Sequence, residues 1–60
     1  MRISLSAFLN LVDGFDDIKV VDQHNGLKTI YEGKRTYCPF IEGDVFCVFT
    51  KSGKIVVEVA

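Results

Sequence analysis

Residues 44–60 constrain the fold of this chain more than any other stretch. They read Asp44-Val45-Phe46-Cys47-Val48-Phe49-Thr50, then Lys51-Ser52-Gly53, then Lys54-Ile55-Val56-Val57-Glu58-Val59-Ala60. Two runs rich in β-branched and aromatic residues flank a short turn ending in Gly, which is the pattern of a β-hairpin. Gly takes φ > 0 without a Cβ clash, so Lys51-Ser52-Gly53 suits a type I turn followed by a left-handed, bulged Gly. That register pairs Thr50 with Lys54, Phe49 with Ile55, Cys47 with Val57 and Val45 with Val59. One face then carries Val45, Cys47, Phe49, Ile55, Val57 and Val59; the other carries Phe46, Val48, Thr50, Lys54, Val56 and Glu58. A two-residue loop at Ser52-Gly53 shifts the pairing by one and sets Glu58 opposite Cys47. The bulged register separates the faces better and is the one expected.

Upstream, Leu5, Phe8, Leu9 and Val12 recur at i, i+3, i+4 and i+7, the spacing of a short amphipathic helix. Ser4 is placed to cap it with its hydroxyl, and Ile3 to pack on Phe8. Gly14 falls where a left-handed residue would end the helix, after which Phe15 can fold back onto Leu9. So short a helix is unstable alone and has to dock on a sheet. Asp13, Asp16 and Asp17 follow, at the negative end of its dipole. They form a candidate acidic contact patch for a basic partner, although a solvated turn is the preferred reading.

Residues 18–22, Ile-Lys-Val-Val-Asp, and residues 27–32, Leu-Lys-Thr-Ile-Tyr-Glu, read as two strands joined by a type I′ turn at Asn25-Gly26. Two registers stay open: a two-residue loop pairs Val20 with Tyr31 and Val21 with Ile30, and a longer loop pairs Val20 with Ile30. Weak alternation makes this hairpin the less buried of the two. Pro39 excludes a central strand between Gly33 and Gly43. Strand two can run on to Tyr37 across a kink at Gly33. Tyr37, Phe40 and Ile41 then either close the edge of the core, the preferred reading, or form an exposed patch.

The chain has 60 residues, which makes it one domain, 1–60, near the lower limit for folding alone. A net charge of −1 argues against general nucleic-acid binding, and 48% hydrophobic residues argue against disorder. No apolar run approaches the ~20 residues of a membrane span, and no leader pattern follows Met1. The expectation is a cytoplasmic protein with two reduced thiols, Cys38 and Cys47.

His24, the single histidine, sits at a turn with no nucleophile expected nearby. Cys38 and Cys47 lack the spacing of redox or zinc sites. Cys47 alternates inward as a small hydrophobe, which leaves Cys38 the more exposed thiol. Lys34-Arg35 is the one basic doublet, read as a solvated edge. There is no phosphate loop and no acid–base pair. No catalytic residue, cofactor or metal is expected, and the chain reads as a non-enzyme.

Together these elements make an α+β domain, with one short N-terminal helix on a four-stranded antiparallel sheet built from two hairpins. The helix covers one face. The other keeps Phe46, Val48 and Val56, extended by Tyr37, Phe40 and Ile41, as a candidate interface for a homodimer. The pattern Leu5-Ser6-Ala7-Phe8-Leu9 to Asp13-Gly14, Ile18-Lys19-Val20-Val21-Asp22, Ile30-Tyr31-Glu32-Gly33 and Ile55-Val56-Val57-Glu58-Val59 resembles very short proteins encoded by phages and mobile elements of Gram-positive bacteria. The stretch 34–44 departs from that pattern. The resemblance implies an accessory phage protein in the host cytoplasm that binds and blocks a host defence protein, as anti-CRISPR or anti-Hachiman inhibitors do. The alternatives are a protein that sequesters a small ligand or nucleotide signal, and a structural or regulatory subunit of a larger assembly.

Overall fold

The structure, a computed structural model, describes residues 3–60; Met1, on which the expectation of no leader rests, lies outside the described residues with Arg2. One helix, α1 (Leu5–Leu9), precedes four strands: β1 (Asp17–Asp22), β2 (Lys28–Lys34), β3 (Val45–Lys51) and β4 (Lys54–Val59). They form one sheet in the order β2-β1-β4-β3. The class is the expected one, but the sheet is not antiparallel throughout. Its two hairpins meet through β1 and β4, which run parallel with Ile18 beside Ile55 and Val20 beside Val57. The reason lies in composition. Ile18, Val20 and Val21 of β1 and Val56, Val57 and Val59 of β4 are all buried, and strands apolar on both faces gain most from the centre. β1 is therefore among the most buried elements, against the expectation that the first hairpin is the more exposed.

The C-terminal hairpin takes the two-residue loop instead of the bulged one. Ser52 (φ 53) and Gly53 (φ 78) are both left-handed, as a type I′ turn requires, and Lys51 pairs with Lys54. The bulge sits at the far end, where Phe46 and Cys47 stand against Glu58, so that Val45 still meets Val59. Between turn and bulge the register is one residue off the expected one. Cys47 and Phe49, paired with Glu58 and Val56, thus leave the core face. Val48 and Thr50, paired with Val57 and Ile55, turn towards the helix side.

In the first hairpin Val20 meets Tyr31, as the shorter loop requires, but Val21 meets Thr29 across a bulge. The connection is longer than two residues because Asp22 organises it. Its carboxylate accepts from the His24 N–H (2.9 Å) and the Asn25 Nδ2 (2.7 Å), which nucleates a 3-10 turn over Gln23–Asn25.

Ser4 caps α1, its Oγ accepting from the Ala7 N–H at 3.2 Å. The helix stops at Leu9, short of Val12, yet Val12 still packs on the core of Leu5, Leu9, Ile18, Val20, Val57 and Val59. Gly14 is not left-handed; a Cβ there would lie 2.5 Å from Thr36 Oγ1. Its role is close approach. Phe15 stays in solvent instead of folding onto Leu9. Segment 3–5 lies along the start of β3: Val45 N–H donates to Ile3 O (2.8 Å) and Leu5 N–H to Gly43 O (2.9 Å).

Candidate functional site

The surfaces left after the core is formed include the face of the sheet opposite α1, the end of the domain beyond the helix, and the outer edges of β3 and β2. The open face carries Lys19 and Val21 of β1, Glu32 of β2, Phe49 and Lys51 of β3, and Lys54, Val56 and Glu58 of β4. With Leu27 it encloses a shallow concavity of about 410 Å³. Lys54 Nζ reaches Glu32 Oε2 at 2.5 Å across this face. That hydrogen bond holds the Glu32 carboxyl below the usual carboxylate range and the Lys54 ammonium above its ordinary value. The surface is mixed, with an apolar strip between charged flanks.

Beyond the helix, Arg35 closes the C-terminal end of α1. Its Nε donates to Leu9 O at 2.8 Å and its Nη2 lies 3.4 Å from Asn10 Oδ1, where the free carbonyls and the helix dipole favour a cation. The Arg35 N–H donates to Asp16 O (2.9 Å), the Thr36 N–H to Gly14 O (3.1 Å) and Thr36 Oγ1 to the same carbonyl (2.6 Å). Sequence reasoning left Lys34-Arg35 as a solvated edge, since nothing local links it to residues 9–16. Around these contacts stand Leu11, Phe15, Tyr37 and Phe40, each 77–82% exposed. A groove between α1 and the connection to β3 is lined by Leu5, Leu9, Arg35, Phe40 and Ile41.

The expected interface residues do not share one surface. Val56 is buried at the centre of the open face, Val48 is on the opposite side, and Phe46 sits in the exposed bulge. Tyr37 and Phe40 are exposed instead of closing the core, whereas Ile41 does pack on it. Of the acidic residues, Asp13 accepts from the Phe15 N–H (3.0 Å) and Asp17 lies 3.7 Å from Lys34 Nζ. Asp16 is exposed beside them. Phe15, expected to fold back onto Leu9, and Leu11, given no place by the helix-face pattern, are both exposed.

The thiols are exchanged relative to expectation. Cys47 is exposed and Cys38 half-buried, and neither is bridged. Burial pushes the Cys38 thiol up, with Arg35 opposing it. His24 is exposed at its turn. Among the described residues no three His, Cys, Asp or Glu side chains converge to hold a metal ion, and no helix is long and apolar enough to cross a membrane. No protein family, no curated protein and no solved structure matches the chain.

Proposed function

We propose that this chain is a non-catalytic binding protein of the short phage-encoded kind, which docks on a host defence protein and blocks it. The observation that carries this reading is the set of four large apolar side chains, Leu11, Phe15, Tyr37 and Phe40, that are 77–82% exposed on the segments joined by the Arg35 and Thr36 hydrogen bonds. Such a concentration in so small a protein is costly in water and is relieved by a partner surface. Aromatic residues also dominate the energetic centres of protein interfaces. The backbone beneath them is tied by the Arg35 and Thr36 hydrogen bonds to residues 14 and 16, so little ordering remains to be done on binding.

The test is photo-crosslinking in host extract from a diazirine residue at Leu11. A single dominant host protein is expected, with its yield lost in Phe15→Ser/Phe40→Ser while the circular dichroism stays that of the wild type. Equal yield from the double variant, or turnover of a nucleotide or peptide by the purified chain, overturns the reading.

One observation favours a second reading, the sequestering of a small ligand or nucleotide signal. The open face sets Lys19, Lys51 and the Lys54–Glu32 pair, with Glu58, around Phe49 and Leu27 in a concavity of about 410 Å³, within the size range of small-molecule sites. A panel of nucleotide signals tests it by thermal shift. A ligand at 100 times its Kd adds about 2.7 kcal/mol of stability.

A further inference from the structure

β3, like β2 on the other edge, has no buried residue, although its sequence, Val45-Phe46-Cys47-Val48-Phe49-Thr50-Lys51, is among the most apolar in the chain. Its exposure is two-sided. Val48, on the helix side, is 41% exposed and Phe49, on the open side, 40%. A partner lying on one face would cover one of them; a strand laid beside β3 covers both.

The hydrogen-bonding groups on that edge can be assigned from the register. Lys51 and Lys54 flank the two-residue turn as a hydrogen-bonded pair, so Phe49 and Cys47 also bond towards β4. Val48 and Thr50 then direct their N–H and C=O groups outward. Val45 is outward as well, and its N–H is taken by Ile3 O at 2.8 Å. The unoccupied stretch is therefore 46–51, bounded by segment 3–5 at one end and the turn at the other. The opposite edge differs. β2 carries Lys28 and Lys34 at its ends, Gly33 near one of them and a bulge at Ile30, all features that discourage strand addition. β3 has a single lysine, at its turn end.

We propose that two copies of this chain join β3 to β3 as antiparallel edge strands, with the two-fold axis at Phe49, into one continuous eight-stranded sheet. The gap itself selects a second copy. Pairing about Phe49 sets Cys47 opposite Lys51 and Val48 opposite Thr50 of the other copy, which uses the stretch 47–51 of each. The outward groups of Val48 and Thr50 exchange N–H···O bonds, twice by symmetry. The partner's segment 3–5, held against its own residues 43–45, then falls beyond the Ser52-Gly53 turn and meets no strand. The two Phe49 side chains form a close, non-hydrogen-bonded cross-strand pair on the open face. This inference uses a different surface from the one proposed above for a host protein and does not rest on it.

The test combines mass with single-atom changes, which chemical synthesis allows in a chain of 60 residues. Sedimentation equilibrium of the wild type is expected to give twice the 6.7 kDa chain mass. N-methylation of Val48 removes an outward N–H and leaves the β3–β4 ladder intact. It is expected to weaken self-association about tenfold or more, since two intermolecular hydrogen bonds are lost per dimer. Phe49→Lys sets two ammonium groups face to face and is expected to abolish the dimer. Amide exchange on the wild type gives a readout independent of any variant, with protection at Val48 and Thr50 that rises with protein concentration. A wild type of single-chain mass at its highest soluble concentration overturns the proposal. So does a dimer equally tight in both variants, or protection at Val48 and Thr50 that does not change with concentration.

Discussion

Lys54 Nζ and Glu32 Oε2 meet at 2.5 Å although their strands are not neighbours: β1 runs between β4 and β2. The pair therefore passes over the central strand and ties the two hairpins together on the open face. Both groups are solvent-exposed, so the contribution is small and screened by salt.

Its pH dependence has a defined sign. The folded Glu32 value is depressed, so its contribution is present above the unfolded carboxylate value, about 4.3, and is lost as pH falls through the folded value. The folded Lys54 value is raised, so its contribution is present below the unfolded ammonium value and is lost as pH rises through the folded one. The gap in melting temperature between wild type and Glu32→Gln is expected to be constant near neutrality and to close on acidification. A gap that stays open in acid rules out this origin.

Cys47 is expected to react with an alkylating reagent faster than Cys38. It is exposed, whereas burial raises the Cys38 thiol and reduces its thiolate fraction. Mass spectrometry of partly labelled protein distinguishes the sites. Faster labelling of Cys38 would mean that β3 has the bulged-turn register and turns Cys47 inward.

The same register separates two core substitutions. Ile18 is fully buried, and Ile18→Ala should cost ~2–5 kcal/mol. Phe49 lies half-exposed on the open face, so Phe49→Ala should cost well under that. Denaturant titration, at concentrations low enough to keep chains apart, compares them. Equal losses would place Phe49 in the core.

Gly14→Ala should destabilise by about 1–3 kcal/mol, because its Cβ would stand 2.5 Å from Thr36 Oγ1. Thr36→Ala removes the obstacle together with the hydrogen bond to Gly14 O. The double variant should therefore lose less than the sum of the two singles. Strict additivity in thermal denaturation would show that the two residues do not touch.

What could be read from the sequence was local. The Ser4 cap, the four strands and the position of both turns follow from residues within a few places of one another. The register of the second hairpin turned on one ambiguity, whether Lys51 belongs to turn or strand, and face segregation favoured the wrong choice. The segregation argument assumed no bulge within β3. The bulge at Phe46 and Cys47 lets Val45 keep its expected partner while Cys47 and Phe49 change sides. The β1–β4 pairing has no turn to announce it, since the two strands run parallel, and only their apolar composition points to the centre of the sheet. The exposed end around Arg35 was not legible either; it depends on residue 35 reaching the carbonyl of Leu9.

The parallel junction also sets an order of events. Each hairpin closes by nearby contacts on a microsecond scale, but β1 and β4 can meet only after a search that brings Ile18 to Ile55 across most of the chain. Non-local pairings of this kind slow folding. Until they form, each hairpin leaves the strand that is buried in the finished sheet, β1 in one and β4 in the other, with an unpaired edge. The interval between hairpin closure and strand docking is thus when the protein is most prone to aggregate. Dilution or a chaperone during refolding should raise the yield, and substitutions that weaken β1–β4 contact should lower it before they lower the melting temperature.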